Sequence, residues 1–193
     1  MGKIKLNAAS GGGSVSLQAP SSLSSDRVYT LPDSSHISTL AGILEFDQWY
    51  LTSNKTDNSD ITANLIRNDR TGAASPIGSG MTLSSGVFTF PSAGIYLVQS
   101  MFTFKGNGGR TYVGVRHPVS TNSGSSYTNV CSTYGNGYMN TAHINVVCSN
   151  VIDVTDASTF RMKISYDVSD TVQILGYSTD KHTGVTFTRL GDT

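Results

Sequence analysis

Residues 95–104, Ile-Tyr-Leu-Val-Gln-Ser-Met-Phe-Thr-Phe, are apolar at both parities of an extended chain. Tyr96, Val98, Phe102 and Phe104 fall on one side of such a strand, and Ile95, Leu97 and Met101 on the other. A strand of this kind must be covered on both faces. One cover is the core of its own domain. The other comes from beyond the layer, and a contact between subunits is the simplest source.

The flanking sequence multiplies the strand pattern. Further strands are expected at 43–51, 61–67, 87–90, 111–117, 139–148, 160–168, 172–177 and 185–190. Turn residues separate them, among them Pro91-Ser92-Ala93-Gly94 and Ser123-Gly124. Phe160, Met162, Ile164, Tyr166 and Val168 alternate with Arg161, Lys163, Ser165, Asp167 and Ser169, which marks one buried and one wet face. No window carries a helical period. The chain is therefore expected to be all-β, an antiparallel sandwich, barrel or jelly roll.

Residues 1–40 break this pattern. Their alternating pieces at 4–6, 15–17 and 28–31 are too short to bury a core, and Gly, Ser and Pro separate them. They read as an N-terminal arm that becomes ordered by pairing with another sheet. Its expected attachment residues are Ile4, Leu6, Val15, Leu17, Val28 and Leu31. Residues 41–193 form the domain proper.

Charged residues make up 13% of the chain, about half the usual share of about 25%. Polarity comes instead from 28 Ser, 22 Thr and 20 Gly. Neutral polar groups lose less on desolvation than charges do, so such a surface suits packing against protein. The formal net charge is zero, which leaves no long-range field to attract nucleic acid or anionic lipid. No apolar run approaches the roughly 20 residues of a membrane-spanning helix, so no membrane insertion is expected. The first residues lack the hydrophobic core of a secretion signal, and synthesis in a cytoplasm is expected. Two cysteines make no disulfide framework. Cys148 continues the alternation of Ala142, Ile144 and Val146, and is expected as a buried thiol unbonded to Cys131.

No catalytic residues, metal ligands or cofactor site emerge. His36, His117, His143 and His182 stand at no ligand spacing. Asp57, Asp60 and Asp69 lie among Lys55, Arg67 and Arg70, which suggests surface ion pairs rather than bound calcium. There is no GxSxG, and Gly11–Gly13 lacks the Lys-Ser/Thr of a phosphate loop. Trp49 sits in an apolar strand and is expected in the core. Residues 118–140 read as the longest loop. Tyr127, Tyr134 and Tyr138 lie there among Ser, Thr, Asn and Gly, a composition that suits ligand contact. The alternative is a loop packed onto its own sheet.

Residues 86–98, GVFTFPSAGIYLV, resemble the strand–turn–strand of the tumour-necrosis-factor and complement-globular-head superfamily. There an apolar strand and Pro-x-x-Gly-x-Tyr lead into the long central strand. Phe104-Lys105-Gly106, residues 111–116 (TYVGVR), 159–166 and 184–190 (GVTFTRL) extend the likeness over 41–193. The resemblance implies an antiparallel jelly roll that assembles as a homotrimer, with Leu97, Gln99, Met101 and Thr186 at the seam. Gln99 and Thr186 stand where an aromatic residue is frequent in that family, which implies a more polar axis. In the arm, residues 14–20 (SVSLQAP) and 24–33 (SSDRVYTLPD) resemble a segment of tail-fibre and other virion proteins of phages. That implies a structural protein on the virion surface, as fibre or capsid decoration, with other capsid or tail proteins and a host-surface glycan as partners. Release by lysis would need no secretion signal. The alternative is a free-standing carbohydrate- or protein-binding jelly roll.

Overall fold

The computed structural model describes residues 3–7, 14–18, 43–57, 59–73, 75–107, 112–136, 140–169 and 172–193. The chain divides into two compact units, Met1–Leu40 and Ala41–Thr193.

In the first unit β1 (Lys3–Asn7) pairs antiparallel with β2 (Ser14–Gln18). The register sets Ile4 opposite Leu17 and Leu6 opposite Val15. The sequence suggested that each piece would pair with a foreign sheet. Instead the first two pair with each other. Val28 and Leu31 lie outside the described residues.

The second unit opens with β3 (Phe46–Leu51), β4 (Leu65–Arg67), β5 (Thr82–Ser84) and β6 (Val87–Thr89). The long strands follow: β7 (Gly94–Asn107), β8 (Tyr112–Ser120), β9 (Thr128–Asn136) and β10 (Asn140–Val154). It ends with β11 (Arg161–Lys163), β12 (Ser165–Val168), β13 (Val172–Ile174) and β14 (Gly184–Gly191). The described residues contain no helix. All pairings are antiparallel.

Two sheets result. The β7 sheet runs β10-β7-β14-β3-β4, with β13 also on β7. The β8 sheet runs β12-β8-β11-β6-β5, with β9 on the other edge of β8. Chain order thus crosses between the sheets at six of the eleven connections from β3 to β14, as in a jelly roll. The strands β9 and β10 are the outer strands of their respective sheets.

The Pro-x-x-Gly-x-Tyr block now has a physical reason. Gly94 has φ 147°. A Cβ there would lie 2.5 Å from Arg189 Nε and 2.6 Å from Gly191 O. Arg189 fills that space and donates from Nε and Nη2 to Ala93 O at 3.1 and 3.0 Å. Tyr96 Oη donates to Ser92 O at 3.0 Å, which ties the turn to the strand it starts.

Tyr96, Val98, Phe102 and Phe104 face the core with exposures of 0–1%. Phe90 packs edge-on against Tyr96, Phe160 and Phe187. Trp49 lies partly buried against the core, edge-on to Phe88. One carboxylate is interred with them. Asp47 accepts from Trp49 Nε1 at 2.9 Å, Ser75 Oγ at 2.8 Å and the Met81 amide at 2.7 Å. Arg67 adds Nε at 3.0 Å and Nη2 at 3.1 Å. A charge so deeply buried persists only with its partners in place.

Two expectations fail here. Residues 118–140 are not one loop: Thr128–Asn136 is β9, paired with β8 from Tyr112↔Asn136 to Val119↔Thr128. Its inward positions Cys131, Thr133 and Gly135 are small, so the usual apolar alternation is missing. Nor is Cys148 a free thiol. It forms a disulfide with Cys131 that crosses from β9 to β10 and ties the two sheets together at their shared edge. A link across 17 residues contributes about 3 kcal/mol by restricting the unfolded chain.

Candidate functional site

Register builds the outer face of the β7 sheet row by row. Val151, Leu97, Thr188 and Phe46 align in one row. Ser149, Gln99, Thr186 and Gln48 form the next, and Val147, Met101, Gly184 and Tyr50 the third. None of these residues is charged. The structure therefore brings Leu97, Gln99, Met101 and Thr186 onto one surface, with Gln99 directly opposite Thr186. Gln99 is exposed, and the other three are half-buried.

The fold adds two residues that the sequence reading missed. Val147 and Val151 on β10 are 52% and 58% exposed, beside Met101 and Leu97. The signal was present in β10, because valines occupy positions of opposite parity to Ile144, Val146 and Cys148. Two further groups touch this face. Arg70 covers Tyr50, with Cζ 4.1 Å from the ring centroid. Lys181 leans in and donates from Nζ to Thr186 Oγ1 at 2.9 Å, and burial lowers its pKa below the usual lysine value.

The outer face of the β8 sheet differs. Tyr134 lies 50% exposed over Gly114, where a Cβ would stand 2.5 Å from its ring. Arg116 donates to Tyr134 Oη from Nε at 3.2 Å and Nη2 at 2.9 Å. It also pairs with Asp167, to which Tyr134 Oη donates at 3.1 Å. Tyr112 meets Tyr134 edge-on, with centroids 5.7 Å apart. The result is an exposed aromatic shelf backed by a charged pair.

The other tyrosines of the expected contact loop are not gathered there. Tyr127 is half-buried in the turn before β9, with Lys163 Nζ 4.6 Å from its ring centroid. Tyr138 lies outside the described residues.

Between the sheets, His117 is fully buried and bridges Ser100 and Asn150. Ser100 Oγ lies 2.6 Å from Nε2, and Asn150 Oδ1 lies 2.6 Å from Nδ1. With the proton on Nδ1, the ring donates to Asn150 and accepts from Ser100, so a neutral imidazole satisfies both contacts. Burial lowers its pKa in the same sense. The row resembles a nucleophile, base and orienting group, but Ser100 is 1% and His117 0% exposed. It pins one sheet to the other.

No protein-family model matches the chain, and no curated protein does. Solved structures do. The Eiger TNF of S. frugiperda superposes with TM-score 0.58 at 11% identity, over 79% of this chain and 96% of that one. Murine APRIL, crystallised at pH 5.0, gives TM-score 0.53 at 11% identity, over 76% and 98%. Identity this low carries the fold alone, and the fold of this chain is the TNF-like jelly roll.

Proposed function

We propose that this chain is a non-enzymatic structural protein of a bacteriophage surface, a homotrimer held to the particle by its N-terminal arm. The outer face of the β7 sheet is the subunit contact, with Leu97, Gln99, Met101 and Thr186 at the seam and Val147 and Val151 beside them. The protein is made in the host cytoplasm and acts on the virion surface, as fibre or capsid decoration.

The carrying observation is those three uncharged rows on a TNF-like jelly roll. Two valines more than half exposed lie in register with Met101 and Leu97. Burying one such side chain fully is worth about 1.5–3 kcal/mol, so a partner that covers the face gains at several positions at once. The assignment to a phage particle rests on the resemblance of residues 14–20 and 24–33 to virion segments. Among the described residues the hairpin β1–β2 pairs with no third strand, and its outer edges suit addition to a neighbouring sheet.

Light scattering on the full chain tests the assembly. A mass of three chains is expected, and a stable folded monomer at micromolar concentration sinks the reading. Particles assembled with a chain lacking residues 1–40 test the attachment, and normal incorporation of that chain would refute it.

A second reading, a free-standing carbohydrate-binding module, draws on one observation. Tyr112 and Tyr134 form an exposed shelf next to Arg116 and Asp167, groups suited to stacking on and hydrogen-bonding a sugar. Binding of soluble protein to a glycan panel, lost on Tyr134→Ala without change of mass, would favour it.

A further inference from the structure

The inter-sheet cluster at the β9–β10 edge has a second capacity. Ligand atoms of His117, Cys131 and Cys148 all lie within 4.8 Å of one another. Each comes from a different strand, β8, β9 and β10, so no local spacing in the sequence reveals the set. Two sulfurs and one imidazole are the donors that a borderline-soft d10 cation prefers.

The surroundings are arranged as a metal site requires. Asn150 Oδ1 sits 2.6 Å from His117 Nδ1, which fixes the ring and leaves Nε2 as the coordinating atom. Ser100 Oγ, which donates to that nitrogen at 2.6 Å, must turn aside when the metal takes the lone pair, and it is near enough to supply a fourth oxygen ligand. Cys148 and His117 are fully buried. Cys131 is half-buried at the sandwich edge and gives the path of entry.

We propose that the thiol form of Cys131 and Cys148, together with His117 Nε2, binds Zn2+, and that the metal and the disulfide are alternative states of one site. A dithiol reductant passes two electrons and two protons to the disulfide and leaves as its own disulfide. The two thiols then release their protons to solvent as Zn2+ takes both sulfurs. Sulfurs on a tetrahedral Zn2+ stand about 3.8 Å apart when each Zn–S bond is about 2.3 Å. Rotation about the cysteine side-chain bonds supplies that spacing. The site links the same two edge strands in either state, and the inference is independent of how many copies assemble.

The test uses the full chain, reduced with a phosphine, freed of reductant under nitrogen and titrated with Co2+. One equivalent should give an intense sulfur-to-cobalt charge-transfer band, which Zn2+ then displaces. The oxidised chain should give none. Cys131→Ser should abolish most of the band. Asn150→Ala should keep the band but weaken Co2+ binding by about 10–100-fold, the usual effect of losing the group that orients a ligating histidine. Asn150→Asp, which still accepts from Nδ1, should restore it. A reduced chain that stays folded by near-ultraviolet dichroism yet shows no band with excess Co2+ overturns the proposal. A reduced chain that unfolds and is not refolded by Zn2+ overturns it equally, because the binding energy of such a site is folding energy. Undiminished binding by Cys131→Ser does the same.

Discussion

The two outer faces of this sandwich are made from the same kind of strand and carry opposite chemistry. On the β7 sheet, three successive rows hold Val, Leu, Met, Thr, Ser, Gln, Gly and aromatic residues and no charge. On the β8 sheet, Arg116 pairs with Asp167 and Lys163 with Asp60, and two tyrosines stand half in water. Covering those three rows of the first face strips water from neutral groups, which costs little, with Lys181 and Arg70 the charges that lean over them. Covering the second strips it from ions, which is repaid only where every partner is met. The fold leaves both faces open, and side-chain chemistry decides which of them can close against a second copy.

The largest test introduces a charge on the bare face. Met101→Lys or Val147→Lys should dissociate the assembly. An unpaired ammonium buried in an interface costs about 3–5 kcal/mol, or more than a hundredfold in the association constant. Ser132→Lys, on an exposed position of β9, should leave the mass unchanged. Light scattering reads both, and equal effects of the two would erase the distinction between the faces.

A smaller effect is expected from Tyr134→Ala. Its ring covers Gly114 and anchors the Arg116 and Asp167 pair, so about 1 kcal/mol of domain stability should be lost, by urea midpoint, with assembly intact. Asp167→Asn should cost less, at most about 1 kcal/mol, because the pair is 32% and 23% exposed. That cost should shrink as salt is raised. A salt-independent loss would mean that the pair is shielded, and the second face would then resemble the first.

Much of this comparison is legible in the sequence. The double parity of 95–104 marks a strand with two covered faces, and the alternation at 160–168 marks one with a wet face. The core face of 95–104 is buried and its other face is left half-buried for a further cover, while the alternation at 160–168 is broken at Ile164, which separates β11 from β12. The strand at 139–148 instead runs on to Val154. What escaped reading lacks the usual pattern for a reason. In β9 the inward residues must be small: a Cβ on Gly135 would stand 3.1 Å from Val146 Cγ2. β5 is three residues long, and its hairpin turn at Ser85-Gly86 looks like loop. The Cys131–Cys148 link and the His117 bridge join residues from different strands, and only the topology brings them together. The candidate face divides in the same way. Leu97 and Met101 follow from parity, Gln99 and Thr186 from the family resemblance, and Val147 and Val151 from the register of β10 on β7.

The smallest effect concerns the Lys181 ammonium, which leans over the bare face. Lys181 Nζ is held by Thr186 Oγ1, and burial lowers its pKa from the ordinary value of 10.5. The folded chain therefore gives up this proton at lower pH than the unfolded chain does. Between the lowered value and 10.5 the unfolded state binds more protons, so stability rises with pH across that window. Below the window the full desolvation cost is present, and above it the cost is gone. Lys181→Met should abolish the rise, and the difference between the two chains separates it from the titration of other lysines and tyrosines. If the β7 face closes against a second copy, the ammonium is desolvated further on assembly. The rise should then be steeper in the assembled protein than in the dissociated Met101→Lys variant. Urea midpoints measured from neutral pH to 10.5 on both chains, each with its Lys181→Met counterpart, read this directly. Equal slopes would place Lys181 outside the contact and move the seam away from Thr186.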